Sequence, residues 1–202
     1  MMPRWTTLGV LITALLVGCT GELSGSEPRS PNDTNAQPET KRLVRLTADQ
    51  FFRSLEVTTG QRWSRENQYA STLGKPDFNQ STQEAREISV SFVKLAGDAA
   101  REVCGRAVDA DLEMGESGDR VLLKHLNGLD PEDDSALENL RYLVLRFHGT
   151  YLTDDFDSRL EPWTSILRTD LPTEPGEREA QARDRWKAVC VGLVTHPDFL
   201  TY

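Results

Sequence analysis

The feature that most constrains the fold of this chain is a set of apolar residues that recur every three or four positions. This spacing places the residues on one face of an α-helix. The longest stripes are Phe51–Leu55, Ile88–Ala107, Leu137–Phe147 and Ala182–Leu193. No segment shows the convincing alternation of apolar and polar residues that marks a strand. The sequence therefore predicts an all-α fold, a compact bundle of about five or six helices.

Capping patterns mark the starts of these helices. Thr47 and Gln50 can form a capping box, in which each side chain bonds the backbone N–H of the other residue, and Gly60 then ends the first helix. The expected starts of the other long helices are Ser81, Asp130 and Pro175, and the last one ends before His196. Weaker patterns predict short helices at about Arg120–Leu126 and Ser158–Arg168.

The N-terminus reads as an export signal. A basic start at Arg4 precedes an apolar stretch over residues 8–17, which is too short to span a bilayer. This stretch ends in Leu16-Val17-Gly18-Cys19, which resembles the lipobox of bacterial lipoproteins. The resemblance implies that residues 1–18 are a removable lipoprotein signal peptide and that Cys19 receives the lipid. The alternative is an ordinary cleaved signal with a chance cysteine.

A lipid on Cys19 would anchor the protein to a membrane without spanning it. Two or three acyl chains suffice, because each buried methylene contributes about 0.8 kcal/mol and one chain alone is marginal. Thr20 stands where an aspartate would resemble an inner-membrane retention signal, so the lipoprotein pattern implies the outer membrane of the cell envelope. Residues 19–40 are too poor in apolar side chains to fold, and we expect a disordered, flexible tether there. A single helical domain over residues 41–202 follows.

The net charge of the chain limits the classes of partner that it can attract. Its 23 Lys and Arg against 32 Asp and Glu give a net charge of −9, which disfavours attraction to nucleic-acid phosphates or to anionic lipids. No apolar run reaches the roughly 20 residues that a membrane-spanning helix needs. We therefore expect no nucleic-acid partner, and membrane contact only through the lipid anchor.

Two cysteines remain once Cys19 is lipidated. Cys104 and Cys190 lie on the apolar sides of two predicted long helices, in a compartment that oxidises thiols. A disulfide between them would fasten the central helix to the last one. Two buried free thiols are the alternative, because buried cysteine is a common core residue.

Familiar catalytic and cofactor motifs are absent from the sequence. There is no Cys-x-x-Cys-His for haem, no His-Glu-x-x-His for zinc, no phosphate-binding glycine loop and no Gly-x-Ser-x-Gly. The histidines, His125, His148 and His196, are far apart in sequence and near predicted helix ends, where capping or a plain surface position is the simpler interpretation. We expect no cofactor and no metal.

One acidic run begins like a calcium-binding loop. Asp109, Asp111 and Glu113 alternate as the first ligands of an EF-hand would. Met114 and Arg120 then stand where that loop needs a glycine and a bidentate glutamate. A solvated acidic turn is the better interpretation of this run.

Aromatic residues are concentrated near the C-terminus. The last forty residues contain Trp163, Trp186, Phe199 and Tyr202. Packing in the core explains most such residues, but tryptophan and tyrosine also anchor interfaces, so these four are the candidate docking residues.

Three stretches, 42–51, 143–155 and 186–200, resemble in order the motifs of a known group of domains. These are the cytochrome-associated domains of unknown function in planctomycetal and myxobacterial secreted proteins. The resembling stretches are Arg-Leu-Val-Arg-Leu-Thr-Ala-Asp-Gln-Phe, the segment around Tyr-Leu-Thr-Asp-Asp, and the ending that contains His-Pro-Asp-Phe-Leu. Relatives often carry a c-type haem domain on the same chain or are encoded near one, and the resemblance supplies no catalytic residue. Because this chain is short and lacks the haem motif, any redox role that the resemblance implies would be as the partner of a cytochrome.

The sequence favours a lipid-anchored envelope protein with a non-catalytic accessory or docking role, and the resemblance implies that a cytochrome-bearing protein is its partner. The rival is an enzyme or small-ligand binder with a site built from dispersed residues, for instance His148, Asp154 and Asp155 beside Arg146. A purely structural envelope protein is a third reading. A deep pocket with convergent polar groups would favour the rival, and a shallow surface with exposed aromatic side chains would favour docking.

Overall fold

The computed structural model describes residues 43–76, 79, 84, 87–114, 117–154, 157–169 and 171–202. Several predictions lie outside these residues: the signal peptide over 1–18, the lipidated Cys19, the tether over 19–40, the helix start at Ser81, and Asp155. The described helices belong to one compact unit within residues 42–202.

The described part of the chain is all-α, as the apolar stripes predict. Its helices are α1 (Ala48–Thr59), α2 (Glu66–Tyr69), α3 (Val90–Glu113), α4 (Asp134–His148), α5 (Glu161–Arg168), α6 (Pro175–Thr195) and α7 (Pro197–Leu200). These seven exceed the expected five or six, because α2 and α7 have four residues each and are too short to show a periodic stripe. None of the described helices is long and apolar enough to cross a membrane.

Four of the predicted helix boundaries are confirmed, the start and the end of α1 and the start and the end of α6. Thr47 and Gln50 form the capping box at the start of α1, and Gly60 follows its end in the left-handed conformation at φ 69°. Helix α6 begins at Pro175, where proline fits the first turn because its missing N–H would have no partner there.

Helices α3 and α4 begin later in the chain than the sequence predicts. Helix α3 begins at Val90, after Ser89, whose hydroxyl accepts the N–H of Phe92. Helix α4 is capped by Asp133, because the carboxylate of Asp130 is engaged by the N–H of Glu132 and by Arg178.

The helix expected at 120–126 does not form. These residues make bends and turns, because the carbonyls of Val121 and Leu122 accept hydrogen bonds from Tyr142 and Asn139 of α4, and the N–H of His125 donates to Asn139. In an α-helix those two carbonyls would accept the N–H groups four residues later. The N–H groups of Val121, Leu122 and Leu123 bond the buried carboxylate of Asp111 on α3. Leu122 and Leu123 are fully buried as a result of this turn.

Helices α3 and α6 form the centre of the domain. The small residues Ala96, Ala99 and Ala100 of α3 are completely buried, which permits close helix packing. The predicted disulfide joins Cys104 of α3 to Cys190 of α6, with a Cα–Cα distance of 5.8 Å. The two longest helices are therefore held together covalently.

The two ends of the domain pair with each other. Val44 and Tyr202 exchange two backbone hydrogen bonds, and the N–H of Leu46 donates to the carbonyl of Leu200 at 2.8 Å. Between them, the buried guanidinium of Arg45 lies 4.4 Å from the ring centroid of Phe92. The chain therefore enters the domain beside its C-terminal residue.

Candidate functional site

The candidate docking aromatics do not form an exposed face. Trp163, Trp186 and Phe199 are buried, at 7%, 1% and 5% exposure, and only Tyr202 is exposed, at 52%. Each buried ring lies on the inward stripe of its helix, and Phe199 packs edge-on against Phe51. The interpretation of these three residues as a docking surface is therefore wrong.

The dispersed site that the sequence suggested is also not assembled as expected. Arg146 and His148 both lie in the last turn of α4, but Arg146 points to α1, where it donates to the carbonyls of Val57 and Thr58 at 2.9 and 2.7 Å. Asp154 is exposed in the following loop. The two side chains therefore face different helices, since Arg146 bonds to α1 and the imidazole of His148 bonds to α6.

His148 instead meets His196, which lies at the junction of α6 and α7. The two imidazole rings are stacked, with centroids 4.7 Å apart and planes at 29°. Asp198, in the first turn of α7, completes a group in which one ligand atom from each residue lies within 4.8 Å of the others. We call these three residues the histidine cluster.

The ring of His148 is fixed by a hydrogen bond to the backbone. Its Nε2 lies 3.0 Å from the carbonyl oxygen of Leu193, an acceptor, so Nε2 carries the proton and Nδ1 is left with its lone pair. Burial lowers the pKa of His148, and the neighbouring His196 lowers it further, while the Leu193 carbonyl and Asp198 act in the opposite direction. Because the net shift is downward from a value near 6.5, His148 is neutral at pH 7.

His196 and Asp198 are held together by the turn between α6 and α7. The Nδ1 atom of His196 accepts the backbone N–H of Asp198 at 3.2 Å and lies 3.6 Å from the Asp198 carboxylate. Pro197 sits between them at the first position of α7 and fixes the backbone there. The ring of Trp163 lies 6.0 Å from both imidazoles, between α5 and the cluster.

Asp198 also borders an open cleft. This cleft of about 510 Å³ is lined by residues of α1 such as Arg53, by Arg146 of α4 and by Phe199 and Asp198 of α7. It therefore places two arginines and one carboxylate around a wide opening next to the histidine cluster. Such an arrangement presents polar groups to solvent without enclosing a ligand.

A second open cleft lies along the other side of the last turns of α4. Its lining includes Leu145 and Tyr151, which are 42% and 74% exposed, and Tyr142, whose hydroxyl donates to the carbonyl of Val121. His125 belongs to this cleft, where it pairs with Glu138 at 3.1 Å, and does not join the histidine cluster.

The acidic run of α3 is structural. Asp111 is buried inside the last turn of the helix, and its two carboxylate oxygens accept three backbone N–H groups, which leaves no place for calcium. The interpretation of Asp111 as part of a solvated turn is therefore wrong. Asp109, two residues earlier, binds Arg183 and Lys187 of α6.

Searches against protein-family models, curated proteins and solved structures found no match for this chain. The functional interpretation therefore rests on the motifs of the sequence and on the geometry of its described residues.

Sequence reasoning missed the histidine cluster because its members are distant along the chain. The one signal that pointed to it is that His148 and His196 each follow the C-terminal end of a long apolar stripe, just before a glycine or a proline. Packing of α4 against α6 then brings those two helix ends together. The expectation that no metal binds rested on separation in sequence, which the fold removes for this pair.

Proposed function

We propose that this protein is a lipid-anchored protein of the cell envelope, in the outer membrane, whose helical domain has a non-catalytic accessory role. The lipobox that ends at Cys19 supports the anchor, and the composition of residues 20–40, which is poor in apolar side chains, supports a flexible tether. The domain docks a second envelope protein. The resemblance to cytochrome-associated domains supports a partner that carries c-type haem.

The observation that carries the docking role is the exposure of Leu145 and Tyr151 at the second cleft. Both are large apolar side chains that gain from burial against a partner, and tyrosine is enriched in protein interfaces. The half-buried Tyr142 continues this surface toward the core. This cleft replaces the C-terminal aromatics as the docking surface.

The anchor is tested by cell fractionation. The wild-type protein should sediment with the outer membrane, and Cys19→Ala should move to the soluble fraction because no acyl chain remains to hold it. Thr20→Asp is the matched variant for sorting and should redirect the lipidated protein to the inner membrane. Sedimentation of Cys19→Ala with the membrane would contradict the proposal.

Docking is tested with a photo-crosslinking amino acid placed at Tyr151 in living cells. We expect one discrete crosslinked envelope protein, weakened by Cys19→Ala because the anchor concentrates the domain at the membrane. The matched control carries the same amino acid at Arg101, an exposed position of α3. Identical products from both positions would exclude a docking surface at the second cleft.

Binding of a small ligand or ion is the second candidate function. The specific observation that favours it is the convergence of two imidazoles and one carboxylate in the histidine cluster. This role is independent of docking, because no residue of the cluster lines the second cleft.

A further inference from the structure

We propose that His148, His196 and Asp198 bind one first-row divalent transition-metal ion such as Zn²⁺. Their ligand atoms lie within 4.8 Å of one another. Nitrogen and oxygen ligands bind zinc at about 2.0–2.2 Å, which places them about 3.3 Å apart in a tetrahedral site. The ligand atoms must therefore move closer together, from separations of up to 4.8 Å to about 3.3 Å. Rotation of the exposed Asp198 side chain and of the half-buried His196 ring allows this movement.

His148 is already oriented as a ligand. In metal sites the second ring nitrogen of a ligating histidine usually donates to a carboxylate or a backbone carbonyl, which fixes the tautomer and the ring plane. The carbonyl of Leu193 performs this task at 3.0 Å from Nε2 and leaves the lone pair of Nδ1 available for a metal ion. The acceptor belongs to the last full turn of α6, so the ring is held by a rigid element.

His196 and Asp198 supply the other two ligands from one short turn. Their nitrogen and oxygen atoms are 3.6 Å apart, close to the spacing of two ligands on one zinc ion. The ion would replace the hydrogen bond that His196 Nδ1 accepts from the Asp198 N–H at 3.2 Å, which is at the long end of the normal range. Pro197 limits the backbone freedom that the site would otherwise lose on binding.

The donor set selects the class of metal. Two imidazoles and one carboxylate suit zinc and its neighbours, whereas calcium and magnesium take oxygen ligands almost exclusively. Cys104 and Cys190 are joined in the disulfide and offer no thiolate. Three protein ligands leave a coordination position for water or for an atom of a partner.

The proposal is tested by calorimetric titration of the full chain with Zn²⁺. We expect one ion per chain, and affinity about tenfold or more weaker in His196→Ala and in Asp198→Asn. Both variants change side chains outside the core, and circular dichroism verifies that they fold. The matched control is His125→Ala, which removes a histidine that pairs with Glu138 and should keep wild-type affinity.

Trp163 provides a second readout because its ring lies 6.0 Å from both imidazoles. Co²⁺ should quench part of the tryptophan fluorescence of the wild type, and this quenching should be lost in Asp198→Asn. The proposal is overturned if the wild type binds no Zn²⁺, if the cluster variants keep wild-type affinity, or if His125→Ala weakens binding as much as they do.

Discussion

The carboxylate of Asp111 accepts the N–H groups of Val121, Leu122 and Leu123 at 2.9, 2.6 and 2.8 Å. Asp111→Asn should lower the free energy of unfolding by about 2–3 kcal/mol, because the amide removes the charge and turns N–H groups toward buried donors. Urea unfolding at pH 7 measures this loss.

The matched control for that substitution is Glu113→Gln, which neutralises an exposed carboxylate at the end of the same helix. It should change the unfolding free energy by less than about 0.5 kcal/mol. Equal losses in the two variants would show that charge at the end of α3 matters, and that the three hydrogen bonds of Asp111 do not.

Residues whose partners are close in sequence could be predicted, and residues whose partners are distant could not. Thr47 and Gln50 form their capping box over three residues, so the local pattern was sufficient. Asp111 reaches donors ten to twelve residues away, across a turn that only the packed core defines. The histidine cluster could not be predicted for the same reason. Asp198 is close to His196 in the sequence, but His148 is distant from both.

At the scale of helices, α5 and α6 pack so closely that no side chain fits between them at Gly192. A Cβ atom there would lie 2.8 Å from the ring of Trp163. Gly192→Ala should destabilise the protein by about 1–3 kcal/mol, because the buried ring must move. Gly105→Ala, in α3 with no atom within 4 Å, should instead stabilise by about 0.5–1 kcal/mol. Thermal unfolding of both variants checks the opposite signs, and a stable Gly192→Ala would refute the close contact.

The contact between α3 and α6 also carries a pH dependence. Burial tends to raise the pKa of Asp109, but hydrogen bonds from Lys187 and Arg183 outweigh it and lower that pKa. A carboxyl with a lowered pKa in the folded state stabilises the protein above its unfolded pKa near 4, and this contribution is lost as the pH falls through the folded pKa.

Asp109→Asn tests this contribution. The variant should be less stable than the wild type by about 0.5 kcal/mol at pH 7, a small value because the carboxylate is 38% exposed and screened by solvent. The difference should disappear in acid, when the wild-type carboxyl is protonated. Unfolding free energies of both proteins between pH 7 and the acid region measure it, and a constant difference across that range would contradict the assignment.

The long helices could be predicted from the sequence, but the way in which they pack against each other could not. The stripes of α1, α4 and α6 match the 3.6-residue period over several turns, and this made them recognisable. The start of α4 depended on which of two aspartates caps the helix, Asp130 or Asp133. Packing of the helices decides which helix ends lie side by side. The histidine cluster forms where the C-terminal ends of α4 and α6 lie together.

At the scale of the whole molecule, the domain is closed by two links of different kinds. The disulfide between Cys104 and Cys190 fastens the centre, and the hydrogen bonds of Val44 and Leu46 to Tyr202 and Leu200 fasten the ends. The first link is covalent, whereas the second consists of hydrogen bonds and of the packing of Arg45 on Phe92. Removal of residues 43–46 therefore measures what the second link contributes to stability.

The paired ends of the domain should contribute measurably to its stability. A chain that begins at residue 43 should unfold with the same free energy as the full chain, whereas one that begins at residue 47 should lose about 2–4 kcal/mol. The shorter chain lacks three backbone hydrogen bonds and the packing of Arg45 on Phe92. Chemical unfolding of the three proteins, with the disulfide intact, measures the difference. Equal stability of the two truncated chains would mean that these contacts between the ends of the domain add nothing to its stability.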